Sequence, residues 1–155
     1  MSKVVILYDT RTGNTGRMAR AVAEGAKSVE GVEVVLKRVG EAQGDALASA
    51  DAIILGSPTH NTQPSRAMRK LLADLSKVLL KDKVGAAFGS YGWSGEAAGI
   101  IARALKDQGV RVISEGVRVK RAPDAGGLAR CRELGHAVAE SVTTIGRQKN
   151  ASERS

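Results

Sequence analysis

Aromatic side chains are nearly absent from this chain: one Phe, two Tyr and one Trp among 155 residues. The basic residues are scattered and no RNA or DNA motif appears. With so little to stack on bases, a nucleic-acid partner is disfavoured. The single cysteine, Cys131, excludes an intrachain disulfide and a multi-thiolate metal site. No apolar run approaches the length of a membrane span, and the first residues lack a signal-peptide pattern. A soluble, cytoplasmic protein with no membrane partner is therefore expected. Carboxylates are outnumbered, 16 Asp+Glu against 24 Lys+Arg, for a net charge of +8. Such a surface favours acidic protein partners. The length suits one domain with a proper core. That domain is expected over residues 1–148, with the polar residues 149–155 as a disordered tail.

The chain alternates short apolar runs with longer stretches of helical period, the pattern of a parallel sheet covered on both faces. Strands are expected near Lys3–Tyr8, Val32–Lys37, Ala52–Gly56, Val84–Gly89 and Val110–Ile113, the last continued by Val117–Val119. Helical spacing links Met18, Val22, Ala26 and Val29, and more strongly Met68, Leu71, Leu72, Leu75 and Leu79. It recurs in Ala97, Ile101, Ala104 and Leu105, and again in Leu128, Cys131, Leu134, Val138, Val142 and Ile145. Gly40–Ala50 reads as a weak helix. Five βα units in this length predict an α/β fold of three layers, α/β/α. Its doubly wound five-stranded parallel sheet takes the order 2-1-3-4-5. Ligands of such sheets bind beyond the carboxyl ends of the strands, at the switch point between strands one and three, where the loops after strands one, three and four converge.

Each of those loops is chemically unusual. The first, Asp9-Thr10-Arg11-Thr12-Gly13-Asn14-Thr15, leads from a strand into a helix. It sets hydroxyls and free backbone N–H groups at the positive end of a helix dipole, a site for phosphate. It is neither a Walker loop nor a Gly-x-Gly-x-x-Gly turn, and its hydroxyls point to a phosphate monoester instead of a pyrophosphate. The second, Gly56-Ser57-Pro58-Thr59-His60-Asn61-Thr62-Gln63-Pro64, is stiffened by its prolines and exposes hydrogen-bonding side chains. The third, Gly89-Ser90-Tyr91-Gly92-Trp93-Ser94-Gly95-Glu96, concentrates aromatic rings in one loop. Its glycines let the backbone approach a flat ligand whose face a ring covers. Together these describe a site for a planar heteroaromatic on a phosphorylated tail, and flavin mononucleotide (FMN) meets that description.

Thr10-Arg11-Thr12-Gly13-Asn14-Thr15 also matches the flavodoxin phosphate-loop pattern Thr/Ser-x-Thr-Gly-x-Thr. Gly56-Ser57-Pro58-Thr59, the Gly89–Gly95 run, Pro123-Asp124 and Cys131-Arg132-Glu133-Leu134-Gly135 resemble the flavodoxin domain of flavodiiron proteins (A-type flavoproteins). The resemblance covers nearly the whole chain. It implies a flavodoxin-like fold and one bound FMN. It also implies a role in shuttling electrons between redox protein donors and acceptors, for which the net charge favours an acidic docking face. Thr10, Thr12, Asn14 and Thr15, with the backbone of Arg11 and Gly13, would hold the phosphate. The loop of Ser57, Pro58, Thr59, His60, Asn61 and Thr62 would line the flavin and ribityl edge. Ser90, Tyr91, Gly92, Trp93, Ser94 and Gly95 would cover the isoalloxazine, with Trp93 the stacking ring. No catalytic side chain and no metal ligand is implied.

Two departures bound the resemblance. The iron ligands of flavodiiron proteins include a His-x-Glu-x-Asp-His run, whereas this chain has only His60 and His136, neither in such a run. Flavodoxins often place an aromatic and a flippable glycine after strand three, and neither occurs between Ser57 and Pro64. Two alternatives remain: a flavodoxin-like NAD(P)H-dependent quinone or metal reductase, or a separately encoded redox module for a diiron oxygen or nitric oxide reductase. Several residues have plainer readings. Cys131 and Tyr8 fit the core, Glu96 complements the start of a helix, and His60 fits a solvated loop. Arg66, Arg69, Lys70, Lys77, Lys81 and Lys83 read as a solvated helix face and its exit, and as a docking surface second. Arg11, Arg17, His60 and Arg66 fall near the cofactor loops and would give them a positive surround.

Overall fold

Along the first strand, β1 (Ser2–Tyr8), Val4 and Ile6 pack into one layer and Val5 and Leu7 into the other, all fully buried. Successive side chains of a strand point to opposite faces, so only a strand covered on both sides buries them all. The computed structural model describes residues 1–40 and 44–154. In chain order β1 is followed by α1 (Asn14–Lys27), β2 (Val32–Arg38), α2 (Gly44–Ser49), β3 (Ala52–Gly56), β4 (Thr59–His60) and β5 (Gln63–Pro64). Then come α3 (Arg66–Asp74), a 3₁₀ turn (Leu75–Lys77), β6 (Val84–Tyr91), α4 (Glu96–Asp107), β7 (Arg111–Lys120) and α5 (Ala125–Arg154). Among the described residues the main sheet runs β2-β1-β3-β6-β7, every pair parallel. This is the expected order once β4 and β5, a two-stranded antiparallel pair, are set aside.

Helices α1 and α5 cover one face, sending Met18, Val22 and Ala26 against Cys131, Leu134 and Val138. Helices α2, α3 and α4 cover the other with Leu47, Met68, Leu71, Ile101 and Leu105. The first pair of helices meets backbone to backbone. A Cβ on Gly25 would lie 1.9 Å from the Arg132 carbonyl oxygen, and one on Gly135 1.9 Å from that of Val22. Cys131 lies in this seam, fully buried, and burial pushes its thiol pKa up to about 11. Among the described residues no helix is long and apolar enough to cross a membrane.

Several local expectations change. The two apolar pieces of the last strand form one strand across a bulge, where Ala86 pairs Ser114 and Phe88 pairs Val117, so two residues of β7 oppose one of β6. Gly116, at φ 120°, sits in that bulge. Helix α3 stops at Asp74, so the helical spacing does not reach Leu79, which is 84% exposed. The chain turns through the 3₁₀ residues and buries Leu80 in its place. Of the weak helix at 40–50, Gly44–Ser49 is helical and residues 41–43 lie outside the described residues. Helix α5 is described to Arg154.

The contact between α1 and α5 yields a prediction. Gly135→Ala forces a methyl into a carbonyl and destabilises the protein by about 2–3 kcal/mol or more. Gly126→Ala, whose Cβ meets nothing closer than 3.6 Å, stabilises by about 0.5–1 kcal/mol. Urea unfolding of both variants checks the contrast.

Candidate functional site

β1 and β6 flank β3 on opposite sides, so the loops leaving these three strands meet at one edge of the sheet. The first loop is organised from within. Gly13 precedes α1 in the left-handed region, φ 92°, where glycine has no side-chain penalty. Thr10 Oγ1 accepts from Gly13 N at 3.1 Å and Gly16 N at 3.2 Å. Both acceptor positions of that hydroxyl are thus used inside the loop, leaving its proton to donate outward. Gly13 has no side chain to cap α1; Thr10 takes Gly16 N instead, and the N–H groups of Asn14 and Thr15 have no preceding carbonyl in the helix. The loop therefore presents donors and the positive end of the helix dipole together, as an anion requires.

The second and third loops are locked to the first and to each other. Thr15 Oγ1 and Ser90 Oγ, both buried, lie 2.6 Å apart across 75 residues of sequence. Thr59 Oγ1 accepts from Ala97 N at 3.1 Å, capping α4 from another loop because Gly95, the residue before α4, has no side chain to do it. Ser57, fully buried, donates to the Pro58 carbonyl oxygen at 2.8 Å and accepts from Ser65 N at 2.9 Å. Gly89 comes so close to the second loop that a Cβ there would lie 2.4 Å from the Ser57 carbonyl oxygen. The β4–β5 turn holds Asn61 at φ 50° and Thr62 at φ 65°. Both positive values match the tight turn that joins two short antiparallel strands.

These loops enclose a cleft of about 500 Å³, within the range of small-molecule sites. It is lined by nine of the expected residues: Arg11, Thr12, Asn14, Pro58, Thr59, His60, Ser90, Tyr91 and Gly92. The other expected residues take different places. Thr10 lines an adjoining groove, while Thr15 and Ser57 are buried braces behind the wall. Gly13 and Gly95 precede helices, and Asn61 and Thr62 form the hairpin tip. Ser94 donates to Glu96 Oε2 at 2.8 Å, which places Glu96 at the start of α4 as a polar complement. Trp93 stands 94% exposed on the same loop, and it is Tyr91 whose ring lies against Gly95 and lines the cleft.

Sequence reasoning passed over Arg121, which also lines the cleft. It follows β7 with φ 59°, and its N–H donates to the Tyr91 carbonyl oxygen at 2.6 Å. The rule that ligands sit beyond strand carboxyl ends applied to this fourth loop as well. Arg38, at the end of β2, was missed too; it donates to the Thr10 carbonyl oxygen at 2.6 Å and lies 3.5 Å from Asp9 Oδ1.

A second polar array joins α1 to α5. Ser28 Oγ lies 2.9 Å from His136 Nδ1, and His136 Nε2 lies 2.9 Å from Glu140 Oε1. Ser28 Oγ also donates to the Gly25 carbonyl oxygen at 2.6 Å, so the array joins the end of α1 to α5.

The buried hydroxyl pair makes a double-mutant prediction. Thr15→Val leaves the Ser90 hydroxyl buried without a partner and costs about 1–3 kcal/mol. Adding Ser90→Ala recovers most of that loss, as measured by a denaturation cycle.

A family model described as Flavodoxin matches residues 6–135. Over 152 residues the chain is 35% identical to the putative diflavin flavoprotein A 4 of Synechocystis sp., covering 96% of this chain and 26% of that protein. Over 144 residues it is 37% identical to a type A flavoprotein of Rhodobacter capsulatus, covering 90% and 33%. The chain thus spans a third or less of the length of these two curated relatives. Among solved structures it is similar to a flavodoxin from the domain Archaea, with a TM-score of 0.86 and 35% identity, covering 91% of this chain and 99% of that one.

Proposed function

The chain belongs to the flavodoxin family, and from that premise we propose that it binds one FMN in the cleft beyond β1, β3 and β6 and carries electrons between redox proteins. The observation that carries this reading is the donor set of the cleft. It offers hydroxyls, an amide and two guanidiniums, with the Tyr91 ring on the same wall, and no described carboxylate lines it. Thr12 and Asn14, the Thr10 hydroxyl proton and the first N–H groups of α1 hold the phosphate, and Arg11 and Arg121 add charge beside it. Thr15 and Ser57 position those groups from behind the wall. Pro58, Thr59 and His60, with the Asn61–Thr62 tip, border the ring and ribityl edge. Tyr91 forms a wall of the ring site, and Trp93 at its rim covers the outer face. Ser94 and Gly95 set the start of α4 beside them.

Bound FMN supplies the redox chemistry at its ring. The protein's part is to hold the phosphate, exclude water from the ring faces and set the local potential. Its donors and acceptors are redox proteins with an acidic docking face, complementary to the net charge of +8. A second reading, an electron-donating module for a diiron enzyme, is favoured by the likeness to the type A flavoprotein over 90% of this chain. A pull-down with a co-expressed diiron partner tests it.

Purified protein titrated with FMN takes up flavin near one per chain, read from the visible spectrum. Failure to bind it overturns the proposal. Because Trp93 is the only tryptophan, its fluorescence reports the ring directly. Emission falls on binding, and Trp93→Ala weakens affinity about two- to tenfold; unquenched emission removes Trp93 from the site. The positive wall also makes the potential for the second electron less negative than behind an acidic wall. Arg11→Glu lowers that potential by on the order of tens of millivolts, more at low ionic strength, measured by potentiometric titration.

A further inference from the structure

A wide groove of about 920 Å³ adjoins the cleft and shares Arg11 and His60 with it. Its walls are Asp9–Arg11, Arg38 at the end of β2, and the exposed side of α3 with Arg66, Arg69 and Lys70. Five fixed cations thus line it against one carboxylate, Asp9, and Arg38 already approaches Asp9 at 3.5 Å. Among the described residues Arg11, Arg66, Arg69 and Lys70 have no ion-pair partner. Outside the groove some cations do stand with carboxylates, as in Lys77–Asp74 and Arg103–Asp107. What marks the groove is five cations around one space beside the cleft with a single carboxylate among them.

We propose that this groove is the docking surface for the acidic face of a redox protein partner, an inference that rests on the reading of the cleft as the flavin site. Charge complementarity selects this occupant. A second copy of a chain of net charge +8 is repelled there. A dinucleotide finds no Phe, Tyr or Trp in the groove walls for its bases. The start of α3 already has its own cap, with Ser65 Oγ accepting from Met68 N at 3.3 Å. Exposed cations three and four residues apart on α3 instead form a broad field. Such a field speeds and orients the approach of a negative surface and weakens as salt rises. A partner seated there reaches the cleft over the Arg11–His60 lip. Arg38 also ties this surface to the phosphate loop through the Thr10 carbonyl oxygen.

The test is an amide-shift titration of isotope-labelled, FMN-loaded protein with a short oligo-glutamate peptide at low salt. Shifts gather on residues 9–11, 38 and 66–70. The triple reversal Arg66→Glu, Arg69→Glu and Lys70→Glu weakens peptide binding by about tenfold or more. The reversal Lys27→Glu, Arg130→Glu and Arg132→Glu, equal in charge but on the other layer, weakens it far less. Equal losses, or shifts gathered elsewhere, overturn the proposal, as does inorganic phosphate or NADPH moving the α3 amides at lower concentration than the peptide. If no form of the protein binds FMN, the cofactor reading fails while the peptide map still tests the groove.

Discussion

A single buried hydroxyl pair, Thr15 with Ser90, sets the distance between the two sides of the cleft. One partner belongs to the first turn of α1 and the other to the end of β6, and the end of β3 lies between them. Glycines make room for that closeness. A Cβ on Gly56 would lie 2.1 Å from the Phe88 ring, and one on Gly89 would strike the Ser57 carbonyl. Backbone from three strands is thereby packed into a space that side chains would otherwise occupy. Few of the site's positions can shift alone, because each loop is braced by a group from another.

Charge and hydrogen bonding divide the work. Short hydroxyl side chains and backbone N–H groups, held by the fold, set direction around the cleft. Long cationic side chains, Arg11 among them, stand exposed and act through the field they create rather than through fixed bonds. Short hydrogen bonds lose less to salt than the long-range field of an exposed guanidinium, which is screened within about 10 Å at ordinary ionic strength.

Most of the sheet was legible because its period is simple. Val4-Val5-Ile6-Leu7 and Ile53-Ile54-Leu55 are continuous apolar runs, which a strand covered on both faces requires. The turn from β1 into α1 was legible because Thr10 and Gly13 stand between an apolar run and a helical period, and both shape that turn. What escaped depends on contacts distant in sequence. The Gly25 and Gly135 seam is invisible until α1 and α5 are laid together. The bulge in β7 arises from pairing with β6, and the β4–β5 turn places Asn61 and Thr62 where glycine is usual. Leu79 kept helical spacing after the helix had ended, since spacing alone does not mark a 3₁₀ exit. Arg121 carried no local signal beyond following a strand.

The lone thiol, sealed between two helices and hard to ionise, is almost unreactive towards electrophiles while the fold is intact. A cysteine introduced on the surface would therefore be the one reactive thiol on the molecule. Through it the protein could be anchored to a gold electrode with either end of its sheet facing the metal, so that distance to the cleft becomes a variable set by the choice of position.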